Sequence, residues 1–405
     1  MHIEEKDFLP IIFGSDINTY GMARAFYEEY QIKSIVIGKY PSGPSCNSKI
    51  IDYYSDLNIG MTTVFLKWVD SFSEKFAAKK ILLIGCGDNY VELIVQNRDL
   101  FRKNVIVPYL EESLLKSLLT KQKFYEMCEQ CGLDYPKTVI CDGRAAENFV
   151  FPFSYPAIIK PSNSVSYWKH EFAGQKKVYR VFDDGEARQI VAAIYKAGYD
   201  DSLIIQEYIA GDDSFLRVMV TYSGQDKKVK LMSLAHVMLE EYTPQGLGST
   251  SVLITAYDEE LSGKIKTFLD EIGYVGFATF DIKFDHRDEK FKMLEINCRQ
   301  GRSSYYVTAA GSNLAKYVAD EYIYQKTWDF YVTKNRILWL VIPKWIAFKY
   351  IRDPLYIQEI KQLIKDKKVI NSLFLKGDYK PKRLFYLFKG WLGQFLKYQK
   401  YYPAD

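Results

Sequence analysis

Residues 280–297, FDIKFDHRDEKFKMLEIN, constrain the fold more than any other part of this chain. Two alternating apolar–polar runs flank the polar quartet His286–Glu289, the pattern of a β-hairpin. On the first run Thr279, Asp281 and Lys283 share one face, leaving Ala278, Phe280, Ile282 and Phe284 for the core. On the return run Glu295 and Asn297 share a face, with Leu294 and Ile296 opposite. A turn centred near residue 288 sets Asp281 across from Glu295. Two carboxylates facing each other on a sheet repel unless something neutralises them. A magnesium ion would do so, because it takes carboxylate oxygens and keeps water and phosphate oxygens as its other ligands. The alternative is a solvated hairpin face whose charges are merely close.

Ahead of the hairpin the chain changes character twice. LPIIFGSD, SIVIGKY and KKILLIGCGDN read as strands; MARAFYEEY and VELIVQNRDLF read as the helices between and after them. Strand, glycine turn and helix in repetition indicate an open α/β sheet, whose ligands gather at the carboxyl ends of the strands. The turns at Gly14–Asp16 and Gly85–Asn89 belong there, and neither completes the GxGxxG of a dinucleotide site. Residues 111–135 look helical and end at Gly132. From about residue 136 to 330 strand signals dominate, with helices expected at 186–198 and 258–272, so α+β lobes around one cleft follow. At 405 residues, 48% of them hydrophobic, the chain can bury several lobes.

Further candidates lie in this middle region. LIIQEYIAGDDS, residues 203–214, leads an apolar strand into a connection with carboxylates just after a glycine. Its backbone can meet an adenine edge while Asp213 accepts from ribose hydroxyls; an ordinary strand and turn has the same pattern. Lys160 ends the strand YPAIIK and Lys121 starts the helix TKQKFYEMCEQCG. Each is either a point charge for a triphosphate or a surface lysine. The polar, aromatic loop from Lys160 to Arg180 can fold over phosphates. Arg299 and Arg302 follow the return strand, and their planar forks suit carboxylate or phosphate; Arg217 is a third such candidate. Cys128 and Cys131 form a CxxC, but within a helical stretch, so small buried thiols are expected rather than a redox or zinc site.

These elements occur in the order and spacing of the ATP-grasp superfamily, which the chain resembles. The resemblance implies an α/β and α+β architecture: an ATP-grasp fold preceded by an open α/β domain. Its divisions would be an N-terminal domain at 1–110, a two-lobed ATP-grasp domain at 111–330 and a basic aromatic extension at 331–405. It implies that Lys121 and Lys160 contact phosphates, that Gln206, Glu207, Tyr208 and Ile209 form the adenine hinge, and that Asp213 binds ribose. Asp281, Glu295 and Asn297 would hold two Mg²⁺ beside ATP. More narrowly, FGSDINTYGMARAF, GCGDNYVELI, KFYEMCEQCGLDYPKT, GDDSFLRVMV and above all EINCRQGRSSYYVT are similar to bacterial D-aspartate ligases, over about residues 8–330. That family joins D-aspartate to the lysine side chain of UDP-MurNAc-pentapeptide through an acyl phosphate. On position and side-chain shape, Arg299 and Arg302 are assigned to the acid or its acyl phosphate, with Arg217 as a third. One segment departs from the family pattern: residues 234–254 keep His236, Leu239, Glu240, Thr243-Pro244 and Gly248 but differ around Ala235, Met238 and, Gly248 apart, Gln245–Thr250. A loop there borders the acid and amine sites, so a ligase for another acid and amine stays open. A silent nucleotide-binding scaffold is the other rival, disfavoured by the complete metal set.

The net charge of +4 hides an asymmetry. Residues 331–405 carry 16 Lys and Arg against five Asp and Glu, a net of +11, which leaves −7 for residues 1–330. With Trp339, Trp345, Trp391 and many tyrosines, this tail suits either an anionic membrane surface or a lobe packed on the body with its lysines in solvent. No nucleic-acid partner is expected. MHIEEKDFLPIIF has no long apolar run, so no secretory signal is expected. ILWLVIPKWIAF is broken by Pro343 and Lys344 before it reaches a spanning length. A cytoplasmic protein is the expectation, with the tail touching the inner membrane surface in one of its two readings.

Overall fold

The computed structural model describes residues 7–143, 154–162, 164–176, 178–244 and 246–403. Asn163 and Lys177 of the expected phosphate loop, and Gln245 of the variable segment, lie outside the described residues.

β1 (Phe8–Phe13), β2 (Ser34–Gly38), β3 (Ile51–Ser55), β4 (Lys80–Gly85) and β5 (Val105–Ile106) form a parallel sheet in the order β3-β2-β1-β4-β5. Its central strands are apolar on both faces because helices cover both. Ile11, Phe13, Leu83 and Ile81 meet Phe65 and Val69 of α2 (Thr62–Lys75) and Ile94 of α3 (Asp88–Gln96). Ile12, Leu82 and Ile84 meet Tyr20, Ala23 and Phe26 of α1 (Ile17–Tyr30). The reading of the sequence lacked β3 and α2. IDYYS is a half-exposed edge strand, and α2 opens on β-branched residues with no side-chain cap, so neither carries a strong local signal. Helix α1 starts earlier than expected because the Asp16 carboxylate accepts the Thr19 N–H and caps it. Gly14, with φ of +138°, makes the turn before it; a Cβ there would come within 2.3 Å of Thr19 Oγ1.

Helices α4 (Glu112–Leu119) and α5 (Lys121–Gln130) lead to a small antiparallel sheet. β6 (Thr138–Cys141), β7 (Ala157–Pro161), β8 (Tyr179–Val181) and β9 (Leu203–Glu207) run in the order β6-β9-β7-β8, backed by the helix Asp184–Lys196. The large sheet holds β10 (Leu216–Ser223), β11 (Val229–Glu241), β12 (Ser249–Ala256), β13 (Gly276–Asp285) and β14 (Lys290–Asn297). It continues through β15 (Tyr331–Val332), β16 (Leu338–Leu340) and β17 (Val369–Ile370), in the order β14-β13-β10-β11-β12-β16-β17 with β15 beside β11.

The expected hairpin is β13–β14, and Asp281 stands opposite Glu295. One detail differs. The register shifts after Asp281, so Ile282 pairs with Met293 and Leu294 is the extra residue. Met293 is therefore buried, while Leu294, expected in the core, is half-buried, as is Phe284.

The sheet does not stop at residue 330: β16 pairs with β12 and buries Trp339 completely. Arg24 of α1 donates to the carbonyls of Asn371, Ser372 and Phe374. The buried Asp378 accepts from Tyr20 Oη (2.8 Å), Ser48 Oγ (2.7 Å) and the Lys49 N–H (2.6 Å), and Arg383 lies 3.4 Å away. The tail is thus a packed part of the body, and among the described residues no helix is long and apolar enough to cross a membrane.

Candidate active site

A cavity of about 520 Å³ opens between the small sheet, the large sheet and the turn after β4, which contributes Asp88. Lys121, Lys160, Asp281, Glu295, Asn297, Arg299 and Arg302 all line it. Each arrives on a regular element. Asp281 and Glu295 share the outward face of β13–β14, and Lys121 is the first residue of α5, packed on β14 by the bond from Tyr125 Oη to the Leu294 carbonyl (2.7 Å).

Lys121 Nζ lies 2.7 Å from Glu295 Oε2. Burial alone would lower this ammonium's pKa, but Glu295, Tyr125 and Asp281 outweigh it and hold the group above its usual range. The charge on Lys121 in turn holds the Glu295 carboxyl well below the usual range. Asp281 takes the opposite course: burial, then the facing Glu295 charge, pushes it well above the usual carboxylate range. Asn297 Nδ2 donates to Asp281 Oδ2 at 3.1 Å. One carboxyl of the facing pair is thus pressed to keep its proton, which is the repulsion a divalent cation would relieve in place of that proton. Two carboxylates and an amide suit Mg²⁺, which takes few protein ligands and completes its shell with water and phosphate. Among the described residues no group of three or more His, Cys, Asp and Glu is placed to hold a metal.

The adenine-side residues do not line the cavity, and their side chains have partners of their own. Buried Gln206 accepts from Lys160 Nζ (3.0 Å) and donates to Tyr125 Oη and Thr138 Oγ1, both at 2.8 Å. Its side chain therefore orients Lys160. Glu207 accepts the Lys137 N–H (2.8 Å) and pairs with Arg287 (2.9 Å). The Tyr208 ring lies under the Arg180 guanidinium at 4.0 Å, with Lys283 Nζ at 5.7 Å, and Ile209 is buried. Asp213, expected to face ribose, instead accepts from Tyr242 Oη (2.6 Å) and the Glu240 N–H (2.8 Å). The register of β11 shifts at Leu239–Glu240, and Asp213 occupies the N–H beside that irregularity. Arg217 is the clearest departure. Alternation along β10 gives the cavity face to Val218 and turns Arg217 to the other side, near Tyr356 and Phe291, where burial lowers its pKa to about 10.

The two remaining arginines face the cavity on carboxylates the sequence did not single out. Arg299 Nε is 2.8 Å from Oδ1 of Asp88, the first residue of α3, within the expected glycine turn. Arg302 Nη2 is 3.1 Å from Glu241 Oε2, and Glu241 also accepts from Thr243 Oγ1 (2.8 Å). Lys397, from the far end of the chain, lies 3.4 Å from the same carboxylate, and Tyr398 Oη donates to the Glu240 carbonyl at 2.6 Å. Lys283, which donates to the Gly211 carbonyl (3.1 Å), was legible only as a residue on the Asp281 face. Leu247, Gly248, Ser249 and Thr250 complete the wall.

No family model matches the chain. Aligned over 413 residues, it is 37% identical to the D-aspartate ligase of Enterococcus faecium (strain Aus0004), and the match covers 98% of each protein. The chain belongs to the D-aspartate ligase family. This bears out the resemblance read from EINCRQGRSSYYVT and its companions. Multifunctional protein ura1 of Schizosaccharomyces pombe is a remoter relative of this D-aspartate ligase family member, 23% identical over 68% of the chain and 12% of its own length. Among solved structures, the L-amino acid ligase from Bacillus licheniformis superposes with a TM-score of 0.55 at 17% identity, covering 78% of this chain and 74% of that one. The biotin carboxylase domain of the Hydrogenobacter thermophilus 2-oxoglutarate carboxylase, solved with ADP and magnesium-ADP, superposes with a TM-score of 0.61 at 13% identity over 82% and 72%. These likenesses establish the ATP-grasp fold of the D-aspartate ligase family member, a mixed α/β and α+β architecture.

Proposed function

We propose that the chain uses ATP and two magnesium ions to join D-aspartate to the lysine side-chain amine of UDP-MurNAc-pentapeptide, releasing ADP and phosphate. The observation that carries this reading is the Asp281–Glu295 pair, set in one cavity with two lysines and two arginines. Arg299 and Arg302 hold the two carboxylates of the acid, which fixes one of its oxygens for in-line attack on the γ-phosphorus. Lys160, oriented by Gln206, and Lys121 offset charge on the transferring phosphoryl group, so the protein works by position and electrostatics. Magnesium, held by Asp281, Glu295 and Asn297, would neutralise the phosphate oxygens. The uncharged amine then attacks the acyl carbon, phosphate leaves, and the amine gives up a proton. Main-chain groups of Gln206–Ile209 meet adenine, and Asp213 turns from Tyr242 to ribose as nucleotide enters. Precursor and nucleotide are both cytoplasmic compounds, and the basic extension meets the inner membrane surface.

A second reading, a different acid in the same chemistry, draws on the cavity wall at Leu247–Thr250, which the reading of the sequence sets apart from the family pattern except at Gly248. Phosphate release with D-aspartate, L-aspartate, D-alanine and D-asparagine, each with and without the acceptor, separates the two. D-Aspartate should stimulate release far above the others and give a product heavier by one aspartyl residue. Preference for a monoacid would reject D-aspartate, and absence of acid-dependent release would reject ligase chemistry altogether.

A further inference from the structure

The helix Pro381–Tyr401 shows two unlike faces. Inward, Arg383, Leu387 and Tyr398 are buried against the body. Outward, Phe385, Phe388, Leu392, Phe395 and Leu396 recur at helical spacing and every one is exposed, Phe385 by 73% and Leu396 by 71%. A contiguous apolar stripe of this kind marks an interaction surface. Beside it Lys382, Lys389 and Lys400 are exposed along the same side of the helix, and no acidic residue occurs between Tyr379 and Ala404. An open apolar groove of about 380 Å³ adjoins the stripe at Phe388; Trp345, Ile364 and Trp391 line it, with Lys344 Nζ 5.2 Å from the Trp345 ring centre.

We propose that this face lies flat on an anionic phospholipid bilayer. The stripe sits at the boundary of headgroups and acyl chains, the lysines meet the phosphates, and the groove takes the end of one acyl chain. Charge favours lipid over a second copy of the chain: a two-fold pairing of these faces would bring lysine rows together with no carboxylate between them. The inference rests on the membrane contact proposed above and not on the chemistry of the cavity.

Co-sedimentation of the full chain with phosphatidylcholine vesicles carrying increasing phosphatidylglycerol tests it. Binding should rise with the anionic fraction and fall with salt. Leu392→Glu with Leu396→Glu should abolish it, and Lys382→Gln and Lys389→Gln should each weaken it about fivefold, while Lys67→Gln and Lys103→Gln leave it unchanged. Acid-dependent phosphate release by the lysine variants should match the parent chain, which separates lost docking from lost folding. No binding of the parent chain at low salt overturns the proposal, as does equal binding by the Leu392→Glu, Leu396→Glu variant. A doubled mass in ultracentrifugation that Leu396→Glu halves would assign the face to a second copy instead. If the parent chain released no phosphate with any acid yet bound vesicles, the ligase reading would fail and the lipid face would stand.

Discussion

Glu295 answers to two neighbours at once, the ammonium of Lys121 and the carboxyl of Asp281. Glu295→Gln keeps the shape of the side chain, so the fold should survive, while acid-dependent phosphate release should fall by orders of magnitude. Steady-state turnover with Mg²⁺ checks this, and near-normal turnover would remove the two-carboxylate site. His236 makes a prediction about stability. Burial, then the charge of Arg217, lowers it from its ordinary 6.5 to about 4. The unfolded chain therefore binds this proton more readily between those values, and stability present above pH 6.5 should drain as pH falls toward 4, by about 3 kcal/mol. Urea midpoints across that range should show the loss, and His236→Gln should shrink it. At this scale the sequence was informative where period alone decides: Asp281 and Glu295 follow from strict alternation. It was silent where irregular backbone intervenes. The extra residue Leu294 and the turn of Asp213 toward Glu240 both stem from register shifts, which leave no mark in composition.

Elements that bury a full apolar face were legible, and those with a mixed face were not. β4 announces itself with Ile81–Ile84, all fully buried, whereas β3 and α2 are half exposed and passed unnoticed. In the segment from β11 to β12, Glu241 holds Arg302 from one side and meets Lys397 from the other. If Glu241 positions that arginine for the acid, Glu241→Gln should raise KM for the acid about tenfold, the loss of one charge-assisted bond, with KM for ATP little changed. Initial rates at saturating ATP measure it. A lower KM for the acid would mean that Glu241 competes with substrate for Arg302 rather than orienting it.

The whole molecule joins its ends. The composition of residues 331–405 left a membrane element and a packed lobe as alternatives; the inward face of the last helix packs on the body, and its outward face is the one proposed for lipid. Removing residues 334–405 should leave no soluble protein, because it uncovers the edge of β12 and takes Trp339 out of the core; soluble yield and thermal unfolding of the truncation check this. The buried Asp378 adds a temporal consequence. Its bonds to Tyr20, Ser48 and Lys49 span 358, 330 and 329 residues of sequence. Until Asp378 is made, the Tyr20 hydroxyl and the Ser48–Lys49 segment lack their acceptor, which should delay the final packing of α1. Stalled chains ending before residue 371 should leave α1 and the Ser48–Lys49 segment more open to protease than chains extended through residue 403, which carry Asp378 and its bonds.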